Sequence, residues 1–290
     1  MPIPVPEAID EQAEVAAGKT RASRSPGAYL VSAALAGAYI GVAVCLMLAA
    51  AGPLNAADSP FTKLVQGLVF GIALTLVVFA GGELTTGNMM TMVIGLFDRA
   101  KRTGPGAVVA VILFSFLGNL VGGLVFSLLI EASGVLKIAN PGQQPAMLAF
   151  LASTAKSKAT EGVGTMFFRG VLCNVLVCLG VWMAARTRSD GAKLVVLFWA
   201  LLAFITTGFD HVVANMTILA LGLFSGLPGV TVGTFAWNML WVGLGNLVGG
   251  ALLGAAYGYV SRGERPAEPD AGSDAEPEPA APLEREVAQA

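Results

Sequence analysis

His211 is the single histidine in 290 residues, and Asp210 stands directly before it. The chain around them reads Thr206-Thr207-Gly208-Phe209-Asp210-His211-Val212-Val213-Ala214-Asn215-Met216, between apolar runs Leu194–Ile205 and Ile218–Phe224. Ionisable groups at membrane depth are costly, so they point to a functional site. Histidine is the side chain that titrates nearest neutrality, and it can pair with an anion or lend a proton. Gly208 and its short polar neighbours predict a helix that breaks here. Such irregular backbone survives in a bilayer only where protein buries it or water reaches it. Many transport proteins form their substrate site from discontinuous helices of this kind. The competing reading is a histidine that merely bridges two helices.

The elements that hold this cluster follow from composition. Apolar residues make up 55% of the chain and charged residues 12%, about half the usual charged share. Six stretches, near 28–51, 64–96, 107–130, 163–186, 193–223 and 233–260, can each cross a bilayer, which takes ~20 apolar residues as helix. The second and fifth are too long for one plain crossing, so each predicts an interrupted helix. A single all-α membrane domain over 28–261 results. Residues 1–27 form a polar leader with no cleavable signal pattern, read as a short cytoplasmic amphipathic segment or a frayed end. Residues 262–290 are expected to be a disordered acidic tail, which dominates the net charge of −2.

Positive charge is unevenly shared between the two sides. Lys19, Arg21, Arg24, Arg99, Lys101, Arg102, Arg186, Arg188, Lys193, Arg262 and Arg265 fall on one side. Lys63, Lys137, Lys156 and Lys158 fall on the other, over much longer sequence. The excess predicts that both termini are cytoplasmic. Cys45, Cys173 and Cys178 lie in predicted helices without a C-x-x-C pair, so neither disulfides nor metal clusters are expected. One histidine and three scattered cysteines supply no metal set or haem pair, so neither an enzyme nor a cofactor is expected. Nothing here points to nucleic acid.

An internal repeat places the histidine. Leu117 to Gly123 recurs letter for letter as Leu244 to Gly250, an offset of 127 residues. The same offset sets Gly81 opposite Gly208 and Asn88-Met89 opposite Asn215-Met216. Two homologous halves, 28–131 and 163–260, follow, with three spans each. Three is odd, so the halves enter the membrane from opposite faces, and a substrate path is expected near mid-bilayer on their pseudo-two-fold axis. The broken second and fifth spans then face each other.

Local signals complete the reading. Residues 52–63, with Pro53, Asn55 and Pro60, predict a turn. Gly81-Gly82-Glu83-Leu84-Thr85-Thr86-Gly87-Asn88 predicts the second-span break at Gly81, Gly82 and Gly87, or else a small-residue packing face. Glu83 is expected to pair with a basic group or cap the interruption. Asn119 and Asn246 either pack or satisfy backbone freed at the breaks. Loop 132–162 is the longest outer connection; its Lys156 and Lys158 either attract anions to a mouth or belong to an ordinary solvated loop. Arg169, near the outer end of the fourth span, is expected to snorkel toward the headgroups.

At three segments the sequence resembles the formate/nitrite transporter family: Gly82 to Gly87, Gly170 to Cys178, and Gly208 to Met216. The resemblance spans roughly 28–261, and Val181 to Thr187 with Leu201 to Ile205 look most like its nitrite branch. It implies an aquaporin-like protomer with its own pore, assembled as a homopentamer in the cytoplasmic (inner) membrane of a prokaryote. It also implies passage of small monovalent anions: nitrite, formate and similar weak acids. Carried over by position, His211 is the central pore histidine, Thr86 faces it, Asn174 and Asn246 lie near that centre, and Lys158 is the outer lysine. Asp210 occupies the position where the family usually has glutamate. Phe70, Leu74, Leu84 and Phe204 are implied as apolar constrictions. Thr85 stands where phenylalanine is usual, which is expected to make the break more polar.

Nitrite is the leading substrate, with a formate or hydrosulfide channel of the same family as the alternative. A neutral-solute, aquaporin-like channel is a further alternative, but the paired Asn-Pro-Ala breaks are absent, since Asn88 and Asn215 precede methionine.

Overall fold

The computed structural model describes residues 1–98, 100–139 and 141–264, with residues 261–264 described by backbone alone. Arg99, the side chain of Arg262, and the acidic tail from residue 265 lie outside the described residues. What is described is helical, without a strand. A leader helix α1 (Val5–Ala22) precedes α2 (Pro26–Ala56), α3 (Thr62–Gly81), α4 (Thr85–Gly95) and α5 (Pro105–Ser133). The second half has α6 (Ala146–Thr160), α7 (Val163–Ala185), α8 (Asp190–Thr207), α9 (Val212–Phe224) and α10 (Val232–Glu264). Six of these are long and apolar enough to cross a membrane: α2, α3, α5, α7, α8 and α10. In hydrocarbon every backbone group needs an internal partner, which favours long helices from such sequence.

Both predicted interruptions are present. α3 ends in a widened turn at Leu76–Gly81; Gly82 is extended, and α4 starts at Thr85. α8 ends at Thr207, and α9 starts at Val212. Gly81 (φ 82°) and Gly208 (φ 78°) both take the left-handed conformation, which a side chain makes costly. Gly87, expected as part of the break, lies inside the first turn of α4. Its missing side chain instead leaves room beside Val181, 3.9 Å from where a Cβ would stand.

The repeated motif sits where helices touch. A Cβ on Gly122 would lie 1.8 Å from the Ala34 carbonyl oxygen, and one on the equivalent Gly249 would lie 2.3 Å from that of Val171. Glycine therefore lets α5 lie against α2 and α10 against α7, backbone to backbone. The breaks are bonded alike in both halves. Asn119 Oδ1 accepts from Thr85 N at 2.9 Å, and its Nδ2 donates to the carbonyls of Glu83 and Ala33, each at 2.8 Å. Asn246 Oδ1 accepts from Val212 N at 2.9 Å, and its Nδ2 donates to Asp210 O at 2.9 Å and Gly170 O at 2.8 Å. Thr85 N, Glu83 O, Val212 N and Asp210 O are backbone groups that the broken helices leave unpaired, whereas Ala33 and Gly170 lie inside the unbroken α2 and α7.

Two local expectations are corrected, and one pair of alternatives is decided. α2 runs on through Pro53 to Ala56, where a turn was expected. The long connection holds helix α6, which carries Lys158 into the protein and buries Phe150, Leu151 and Ala155. Its apolar face was hidden among small polar residues. The leader is a docked helix, so the frayed-end alternative falls away: Ala8, Ile9, Ala13 and Ala16 are buried, and α1 packs against α4 and α10. Arg186 Nε donates to Ile3 O at 2.9 Å, while Arg188 pairs with Glu11 and Arg102 with Glu14.

Candidate functional site

Two half-helices begin where the breaks meet. α4 and α9 bring their N-termini together, and Thr86 Oγ1 lies 3.0 Å from His211 Nε2. The unpaired N–H groups and dipole at a helix start favour negative charge, so two such ends at one point make a centre suited to an anion. His211 is itself the N-cap of α9: Nδ1 accepts from Ala214 N at 3.2 Å. A backbone N–H can only donate, so this bond occupies the Nδ1 lone pair. The neutral ring then carries its proton on Nε2 and donates it to Thr86.

Apolar side chains flank this centre on both sides. Phe70 and Phe204 meet edge to face at 6.0 Å, and Phe204 stacks on the imidazole at 5.9 Å. They line a chamber of about 110 Å³ with His211, Met47, Gln66 and Lys158. That chamber adjoins a vestibule of about 570 Å³ on the far face, lined by Lys63, Lys158, Glu161 and Arg169 among others. On the leader face, Leu74, Leu84 and Val181 line a cavity of about 520 Å³ with Lys19, Gln12 and Asn88. The four implied constriction residues thus divide, one pair to each side of the histidine.

Each break also carries a lysine–carboxylate–asparagine group. Lys158 Nζ pairs with Asp210 Oδ1, which also accepts from Asn215 Nδ2 at 3.1 Å. Lys19 Nζ pairs with Glu83 Oε2 at 2.6 Å; that oxygen accepts from Asn88 Nδ2 at 3.1 Å and from Tyr29 Oη at 3.0 Å. Glu83 therefore pairs with a basic group, as one of its expected roles required. Glu83 precedes Asp210 by the repeat offset, and Asn88 precedes Asn215 by the same. The lysines have no such relation, because helices outside the repeat supply them.

Not every expected site residue faces the path. Asn174 is fully buried, donating from Nδ2 to Thr86 O at 3.2 Å and Asn246 O at 2.7 Å. It holds Thr86 in place, as Asn246 holds the second break. Asp210 is likewise fully buried and lines neither far-face cavity. Two expectations are corrected. Thr85 donates from Oγ1 to Ile112 O at 3.2 Å, on the α5 side, so it adds no polarity to the path. Arg169 faces the far vestibule and bonds Glu161 Oε1 at 2.8 Å rather than reaching for headgroups. Burial pushes the Glu161 carboxyl above the usual carboxylate range and Asp210 adds to it, against the pull of Lys158 and Arg169.

Sequence reasoning missed Lys19, Gln66 and Val181 as lining residues. Val181 was visible only as part of the stretch that resembles the nitrite branch. Lys19 was visible only as one charge of the leader.

The family model described as formate/nitrite transporter matches residues 9–260. The nitrite transporter NirC of Salmonella typhimurium is 39% identical over 248 residues, covering 84% of this chain and 88% of its own. A solved structure titled FNT family ion channel superposes with a TM-score of 0.79 at 38% identity, covering 88% of this chain and 98% of that one. A pentameric formate channel with formate bound gives a TM-score of 0.70 at 26% identity, over 82% of this chain and 98% of that one. Sequence and fold agree over nearly the whole membrane domain, and the chain belongs to the formate/nitrite transporter family.

Proposed function

We propose that this protein carries small monovalent anions, nitrite foremost, through a pore in each protomer of a homopentamer, with His211 transferring a proton to the anion on the way. The observation that carries this reading is the Thr86–His211 contact, at the meeting of two helix N-termini and between two apolar constrictions. Stripping water from a charge costs roughly several kcal/mol even after relaxation, and a phenylalanine or leucine wall returns none of it. Lys158 and Lys19 offset the Asp210 and Glu83 carboxylates at the two mouths, so an entering anion meets no bare negative charge there. At the centre, a proton gained from Nε2 through Thr86 turns nitrite into a neutral acid. The neutral acid crosses the apolar wall and gives the proton back beyond it. To hold two protons the ring must give up its bond from Ala214 N, and an anion at the ring offsets that loss. Proton and anion are then taken up together.

The termini are read as cytoplasmic, which makes the Lys158 vestibule the outer one, in the cytoplasmic membrane of a prokaryote. Exposed apolar rows on α5 (Val109, Leu113, Leu117, Val121, Val125) and α10 (Leu240, Leu244, Val248, Leu252) suit lipid and neighbouring protomers. No enzymatic step is proposed.

The Ala214-to-Nδ1 bond favours a second reading of the centre. A ring that keeps this bond stays neutral, serving only as an Nε2–H donor while the substrate brings its own proton from the vestibule. His211→Asn and His211→Leu in proteoliposomes separate the two. If His211 lends the proton, both variants lose most nitrite flux and its pH dependence. Asparagine restoring both flux and pH dependence, with leucine restoring neither, would leave only the neutral-donor role. Competing formate, hydrosulfide and glycerol in the same vesicles ranks the substrates.

A further inference from the structure

We propose that Arg169 and Glu161 form a capture site for small bent oxyanions in the far vestibule, in which the Glu161 carboxylate occupies the guanidinium until a proton or an incoming anion displaces it. The inference rests on the transport reading and adds a second binding position to it, away from His211. Arg169 stands near the start of α7, lines the vestibule, and has a side chain 44% exposed. Arg169 Nη1 donates to Glu161 Oε1 at 2.8 Å. Arginine offers five N–H donors in a flat fork that fits two oxygens of one group. The other nitrogens of Arg169 have no protein partner among the described residues, so most of the fork is open to a ligand.

Glu161 is placed as a built-in substitute for that ligand. Its side chain is only 11% exposed, Ser157 Oγ donates to Oε1 at 3.2 Å, and Oε2 is buried with no partner. A carboxylate, a formate ion and a nitrite ion present the same bent pair of oxygens, so they compete for one guanidinium. Lys158 cannot replace Arg169 in this role, because its ammonium is committed to Asp210.

Charge in the vestibule gives the site its pH dependence. Lys63, Lys158 and Arg169 line or enter it as cations, and Asp58, Glu161 and the buried Asp210 beneath Lys158 are the carboxylates. With all three carboxylates ionised the mouth is neutral. Burial makes Glu161 easier to protonate. Once it carries a proton, the mouth holds a net positive charge and Arg169 is free. Capture therefore strengthens as outside pH falls, with Glu161 as its titrating group.

The test is nitrite influx into proteoliposomes of the full-length protein, with KM and maximal flux measured from outside pH 5.5 to 8. Comparing each variant with wild type at the same pH cancels the titration of nitrite itself. Wild-type KM is expected to fall as pH falls. Glu161→Gln, which keeps the shape but not the charge, should show the low-pH KM at every pH, roughly fivefold below wild type at pH 8, with maximal flux moving less. Arg169→Gln should raise KM and flatten its pH response, and Arg169→Lys should restore it only in part. A Glu161→Gln profile that follows wild type, or a wild-type KM that ignores pH, overturns the capture site. Absence of nitrite and formate flux in wild type would instead overturn the transport reading on which it rests.

Discussion

Replacing Lys158 with methionine is expected to lower both the stability and the nitrite flux of the protein. Asp210 is fully buried, and one of its oxygens meets Lys158 and Asn215 while the other has no partner. Removing one member of a buried ion pair typically costs roughly 3–5 kcal/mol, because the other charge stays behind unpaired. That charge is negative, and it sits beneath the proposed anion route from the vestibule to the chamber. Flux should therefore fall at least about tenfold, the equivalent of ~1.4 kcal/mol. Thermal unfolding in detergent and flux in vesicles measure the two losses separately. Adding Asp210→Asn should return most of the stability and part of the flux, since the orphaned charge is gone while the lysine is still missing. A single variant that melts like wild type would mean that water already reaches Asp210. Lys19→Met should be milder, because Glu83 is 19% exposed and keeps Tyr29 and Asn88 as donors.

Asn246→Leu is expected to be the most damaging single change to the fold. It removes no charge and hardly changes volume, yet it strands Val212 N and Asp210 O and removes the tie to Gly170 O on α7. Each buried polar group left without a partner costs about 1–3 kcal/mol, and a bilayer interior supplies no water to replace the bonds. Size-exclusion profiles of detergent-solubilised protein should show little monodisperse material. Hydrogen exchange over 208–212 should speed up in whatever folds. Asn246→Asp keeps the acceptor for Val212 N and loses both donors, so it should fall between leucine and wild type. Asn119→Leu should match Asn246→Leu, because the bonds of the two asparagines correspond. A leucine variant with normal stability would show that this asparagine does not hold the break.

The likeness of the halves was legible only where the spacing stays constant. Asn119 and Asn246, Gly81 and Gly208, and Glu83 and Asp210 all keep one offset. The carbonyls their asparagines reach, Ala33 and Gly170, differ by ten residues more, because the first half has a longer stretch between its first span and its break. A comparison at fixed offset therefore found the breaks and missed the helices that brace them. Glu83 in turn was readable as a carboxylate needing a partner, yet its partner lies in a leader that looked polar and unremarkable.

What the sequence determined by itself was the membrane class, the six crossings, the two interruptions and the central histidine, since each is written in hydropathy, glycine placement or an exact repeat within one stretch. Only the tertiary structure decided which lysine neutralises which carboxylate, that Arg169 turns to Glu161 and the vestibule, and that Thr85 turns away from the path. Those outcomes depend on the direction each side chain takes from its helix and on elements far apart in the chain, such as Lys158 on α6 and Asp210 before α9. Helical periodicity says which residues share a face. It does not say what that face meets.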